Sequence, residues 1–111
     1  MRNIYISLSI IGLTMISLGT SVNAVDIRNG ENVFTANCSA CHAGGNNVIM
    51  PEKTLKKDAL FDNKMDNMKA ITYQVTNGKN AMPAFGGRLS DNEIEDVASF
   101  VLDQSAKDWM D

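Results

Sequence analysis

A small all-α domain of about four helices is the fold class the sequence predicts, and three observations predict it. Apolar residues recur at spacings of three and four near both ends of residues 25–111, whereas the period-two alternation of half-buried strands is scarce. Ser90-Asp91-Asn92-Glu93 is a capping box and marks a sharp helix start. The only two cysteines and the only histidine fall together in Cys38-Ser39-Ala40-Cys41-His42.

Residues 1–24 read as an address rather than as part of the domain. Met1-Arg2-Asn3 is a short basic start, Ile4 to Leu18 is mostly apolar, and Val22-Asn23-Ala24 puts small residues at the −3 and −1 positions of a cleavage site. Ser7, Ser9, Gly12, Thr14 and Ser17 dilute the apolar run, which is shorter than the roughly 20 residues a membrane span uses. The sequence therefore predicts a signal peptide cleaved after Ala24 and one domain from Val25 to Asp111.

Within that domain a first helix is expected to start after Asp26 as N-cap and run into the cysteine motif. Ile27, Gly30 and Phe34 lie on one face of it. Ala43 to Pro51, with Gly44-Gly45 and Asn46-Asn47, is loop by composition. Short helices are predicted near Thr54–Leu60 and from about Asp66 to Thr76, the second closed by Asn77-Gly78. The last helix follows Ser90 and carries Ile94, Val97, Ala98, Val101 and Leu102 at helical spacing, with Phe100 beside them. Its natural partner is the Gly30/Phe34 face, where a glycine lets two backbones approach closely.

C-x-x-C-H is the attachment signature of a c-type haem. Cysteines three apart on a helix have Cβ atoms about 5–6 Å apart on one face, which suits two thioether bonds to the vinyl groups of one porphyrin. His42 follows directly and can offer its imidazole to the iron. Three other readings of the pair compete. A redox dithiol expects a βαβ setting and a reactive thiol, and a zinc site lacks a fourth ligand. A disulfide would close too short a loop to constrain much of the chain. Asn37-Cys38-Ser39 also fits the glycosylation pattern, but a glycan there would obstruct haem attachment. One covalently bound haem, with the helices wrapped round it, would also give a small domain, in a chain with only 6% aromatic residues, the core it lacks.

Five methionines, Met50, Met65, Met68, Met82 and Met110, could supply the second iron ligand. Met82 is favoured because it lies in a loop between two helices and is followed by Pro83, which biases its backbone toward an extended form. Met50 also precedes a proline but lies only a few residues beyond His42. Met65 and Met68 fall on a predicted helix, where filling the core is the commoner use. Histidine plus methionine closes both axial sides and raises the reduction potential, as suits electron transfer. The second ring nitrogen of His42 is expected to be held by a backbone carbonyl, with one near Pro51 as the candidate.

Charge is uneven. Residues 51–88 carry an excess of lysine, whereas residues 89–111 set Lys107 alone against Asp91, Glu93, Glu95, Asp96, Asp103, Asp108 and Asp111. That asymmetry can orient docking on a charged partner, and a chain of formal net charge −3 is a poor binder of nucleic acid.

With these residues in place the chain resembles the class I c-type cytochromes, and among them the cytochrome c6 family. The resemblance spans residues 29–60 and 70–102 and is carried most specifically by CHAGGNNVIMP and NAMPAFGGRL. It implies a monomeric, soluble electron carrier, not an enzyme, in the thylakoid lumen of an algal chloroplast or a cyanobacterium. Such a carrier takes electrons from cytochrome f of the cytochrome b6f complex and delivers them to photosystem I. It implies haem c bound through Cys38 and Cys41, with His42 and Met82 on the iron. It further implies that Gln74 lies near the haem and tunes it, and that Arg88 helps dock photosystem I. Relatives often carry tyrosine where this chain has Phe100. The short single export signal fits a plastid-encoded or cyanobacterial precursor. Two other functions stand beside this one: a respiratory carrier donating to a terminal oxidase, and a haem enzyme or sensor with an open axial site.

Overall fold

The computed structural model of the protein describes Gly12 and residues 24–110; the expected signal peptide otherwise lies outside the described residues. Helix α1 (Ile27–Asn37) begins where the Asp26 carboxylate accepts the Asn29 backbone N–H, as the sequence predicts. It stops at Cys38, and a short α2 (Ser39–His42) carries the rest of the motif into a 3-10 turn over Ala43–Gly45. Helices α3 (Lys57–Asp62), α4 (Met68–Asn77) and α5 (Asp91–Ala106) follow. Among the described residues there is no strand, and no helix is long and apolar enough to cross a membrane.

Local side chains moved two boundaries. Helix α3 starts at Lys57 rather than Thr54 because Leu55 N–H donates back to the Gly45 carbonyl and Lys56 N–H donates to the Thr54 hydroxyl. Helix α4 starts at Met68 because the Asn67 side chain accepts the Ala70 N–H as cap. Met65 therefore precedes α4, in a turn closed by its N–H on the Leu60 carbonyl. Gly78 ends α4 at φ 71°, a conformation other residues reach only with strain.

The core lies between α1, α4 and α5. Helix α5 has the expected capping box, with Ser90 Oγ accepting the Glu93 N–H and Glu93 accepting the Ser90 N–H. Its Ile94, Val97, Ala98, Phe100 and Val101 are buried, and Leu102 is half-buried. Helix α1 buries Gly30, Val33 and Phe34 against it. Ile27, expected on the same stripe, is exposed: it sits in the first turn, and burial begins only at Gly30. A Cβ on Gly30 would strike the backbone carbonyl of Asp96, so the two helices meet at a contact only glycine permits. The Phe34 and Phe100 rings pack beside it with centroids 5.2 Å apart.

Candidate functional site

Cys38 and Cys41 are positioned by the break between α1 and α2. Cys38 N–H still donates to the Phe34 carbonyl at 2.8 Å, while the Cys38 carbonyl accepts from the N–H groups of both Cys41 and His42. One short turn thus sets two thiols and an imidazole on the wall of one cavity. The cavity has a volume of about 440 Å³, within the range of about 300–1,000 Å³ typical of cofactor pockets. Phe34, Leu60, Ile71, Val75, Phe85 and Val97 supply much of its apolar wall.

His42 Nδ1 lies 2.9 Å from the Asn46 carbonyl. A carbonyl can only accept, so Nδ1 carries the proton and Nε2 keeps a free lone pair for a metal. The carbonyl expected near Pro51 is therefore Asn46's. The 3-10 turn doubles the chain back directly after His42, aided by Gly45 at φ 80°, and brings Asn46 within reach first.

Met82 comes to the same cavity from a second turn. Lys79 N–H donates to the Met82 carbonyl and Met82 N–H to the Lys79 carbonyl, at 3.1 and 2.9 Å. The N–H groups of Phe85 and Gly86 then donate to the carbonyls of Val75 and Thr76, fastening the loop to the end of α4. Gln74, also on α4, places its side-chain Nε2 3.5 Å from Met82 Sδ. Met50 and Met65 line the cavity as well, but Met68 is occupied by a contact from Ser99 Oγ, and Met110 is exposed away from the cavity. Arg88 does not line it; its guanidinium carbon lies 5.1 Å from the Phe85 ring centroid, on the exposed side of the loop.

The donors suit a covalently held haem better than the competing groups. Burial, with Cys41 alongside adding to it, pushes the Cys38 thiol up to about 11. That is the opposite of the acidic thiol a redox dithiol requires. Cys38 and Cys41 are not joined to each other, and among the described residues no group of three His, Cys, Asp or Glu could hold a metal ion by itself. Two sulfurs, one imidazole with a free Nε2 and an apolar wall are what a thioether-linked haem needs. A second cavity of about 200 Å³, lined by Ala24, Asn92, Glu95 and Asp96, contains none of these donors.

Two residues escaped the sequence analysis. Asp96 is buried and accepts from Asp26 N–H and the Asn29 side-chain amide, both at 2.9 Å, tying α5 to the start of α1. A carboxylate inside the Ile94/Val97/Ala98 stripe was its signal. Trp109 packs on Phe34 and Phe100 and donates its indole N–H to the Leu55 carbonyl at 3.0 Å.

Helices enclosing an apolar cavity with C-x-x-C-H and a methionine on its wall define a c-type cytochrome domain. Comparison with known proteins agrees. A family model described as cytochrome C oxidase, cbb3-type, subunit III matches residues 25–101. Cytochrome c6 of Petalonia fascia is 81% identical over 85 residues, covering 77% of this chain and 100% of that protein. Cytochrome c6 of Porphyra purpurea is 63% identical over 103 residues, covering 93% of this chain and 89% of its own. The structure of cytochrome c6 from the diatom Phaeodactylum tricornutum matches with a TM-score of 0.72 and 59% identity, covering 76% of this chain and 99% of that one. The chain belongs to the cytochrome c6 family. It is an electron carrier whose cofactor is one covalently attached haem c.

Proposed function

We propose that the protein is the soluble one-electron carrier of photosynthesis that accepts from cytochrome f of the cytochrome b6f complex and donates to photosystem I. Its place of work is the thylakoid lumen, reached after removal of residues 1–24. When bound, haem c supplies a one-electron iron couple. Cys38 and Cys41 would hold it through two thioethers, and His42 Nε2 and Met82 Sδ would bind its iron. The observation that carries this reading is the convergence of those four side chains on one apolar cavity.

Each remaining residue has a defined part. The Asn46 carbonyl fixes the tautomer and orientation of His42. Met82, as a second iron ligand, would leave no open position for dioxygen or small substrates. Gln74 withdraws density from the Met82 sulfur through its amide N–H and so favours the reduced metal. Apolar walls exclude water and hold the charge change in a fixed, low-dielectric setting. Arg88, exposed beside Phe85, offers a cation to the acceptor.

Flash excitation of photosystem I particles mixed with the reduced holoprotein tests the assignment. Fast oxidation of the protein is expected, and its absence would remove photosystem I as the partner. The oxidase name of the matched family model is the one observation that favours a respiratory acceptor. Faster oxidation by a terminal oxidase than by photosystem I would select that alternative.

A further inference from the structure

We propose that Trp109 is a positioning residue for the His42 imidazole, acting through Leu55 and Gly45 on the loop that supplies the Asn46 carbonyl. The proposal rests on the reading of His42 as an iron ligand.

The connection is a chain of contacts running from the C-terminus to the ring nitrogen. Trp109 donates its indole N–H to the Leu55 carbonyl at 3.0 Å. Leu55 donates its own N–H to the Gly45 carbonyl at 2.7 Å. Gly45 is buried beneath the indole, and a Cβ there would come within 2.5 Å of Trp109 Cδ1. Asn46, the next residue, accepts from His42 Nδ1 at 2.9 Å. The loop from Ala43 to Leu55 is therefore clamped at its two ends by one indole.

The C-terminal backbone is bent to make that clamp. Asp108 and Trp109 both lie in the left-handed region, at φ 52° and 57°. Non-glycine residues enter that region at a cost, and they persist there only where the surroundings hold them. Here Trp109 N–H donates to the Gln104 carbonyl at 2.8 Å, which reverses the chain after α5 and lays the indole over Gly45. Phe34 and Phe100 back the ring, with centroids 5.3 and 6.0 Å away.

Function enters through Nδ1. A carbonyl held firmly on the Nδ1 proton makes the imidazole a more basic ligand, which stabilises the oxidised metal. Loosening the loop weakens that bond and raises the reduction potential. A packing role alone would change stability and leave the potential where it was.

The test uses Trp109→Phe holoprotein, which keeps a ring on Phe34 and Phe100 but removes the donor. Proton NMR of the reduced protein should show His42 Nδ1–H exchange about fivefold faster, the size expected when one ordinary hydrogen bond is lost from the closed loop. The reduction potential should move upward with haem still attached. A lower melting temperature with unchanged exchange and unchanged potential would overturn the proposal. Should the variant fail to mature, the native protein gives a second reading under mild guanidinium. There the Trp109 indole proton and the His42 ring proton should lose protection together, and independent loss would overturn the proposal. Native reduced protein without ring-current-shifted His42 resonances would overturn the ligand reading as well, so the two failures are distinguishable.

Discussion

Replacing Gly30 with alanine tests whether the contact between α1 and α5 is as close as the structure makes it. The added methyl would strike the Asp96 carbonyl oxygen, lie 2.6 Å from the Asp96 carbonyl carbon and 2.9 Å from Phe100 Cβ. None of these atoms can rotate away, because two belong to backbone and the third is fixed to it. Overpacking of this kind costs about 1–3 kcal/mol, and a backbone obstacle belongs at the upper end. Alanine's better helix propensity returns about 1 kcal/mol. Displacing Asp96 also disturbs its bonds to Asp26 N–H and Asn29. The net loss should be about 2 kcal/mol, or roughly 8–16 °C in melting temperature for a domain of this size. Thermal unfolding of the holoprotein, followed by circular dichroism, measures it. The reduction potential should not change, because Gly30 does not line the haem cavity. A melting temperature equal to or above that of the native protein would mean that propensity outweighs the contact and that the helices are not in such close approach.

Met82→Ala should lower the reduction potential and let carbon monoxide bind the reduced metal, with haem still attached through Cys38 and Cys41. Unchanged ligand access, read by absorbance, would point to another methionine. Gln74→Val removes the donor 3.5 Å from Met82 Sδ and should lower the potential. A hydrogen bond worth about 1 kcal/mol corresponds to roughly 40 mV for one electron, measurable by redox titration. Ser90→Ala deletes half of the capping box on α5 and should cost about 1 kcal/mol, seen as a shift in the denaturant midpoint. The chain expressed without haem should lack cooperative unfolding and bind a hydrophobic dye, whereas the holoprotein should do neither.

What the sequence disclosed was local or chemical. The capping box at Ser90, the Asp26 cap, Gly78 and the α5 stripe each depend on neighbours within a few positions, and each is found where the residues put it. The cavity donors were legible because cysteine and histidine occur nowhere else in the chain. Long-range pairings were not. The Asn46 carbonyl meets His42 because a particular 3-10 turn forms, and composition records only that the segment is loop. The Trp109 bond to Leu55 crosses most of the domain, and no periodicity announces a contact of that span. The helix expected near Thr54–Leu60 begins only at Lys57, because the Thr54 hydroxyl accepts the Lys56 N–H in a turn ahead of α3.

The cavity also explains why chemistry and stability cannot be separated here. The polypeptide leaves about 440 Å³ between its helices and loops. The cavity therefore has the size and the apolar lining to take a group that side chains do not provide. A group held only by contacts could leave when the domain opened, whereas one bonded to Cys38 and Cys41 stays through every local unfolding. On the proposed assignment, the same two bonds would also hold the metal beside His42 and Met82. Substitutions along that wall should consequently move potential and melting temperature together, while one at Gly30, which does not line it, moves melting temperature alone.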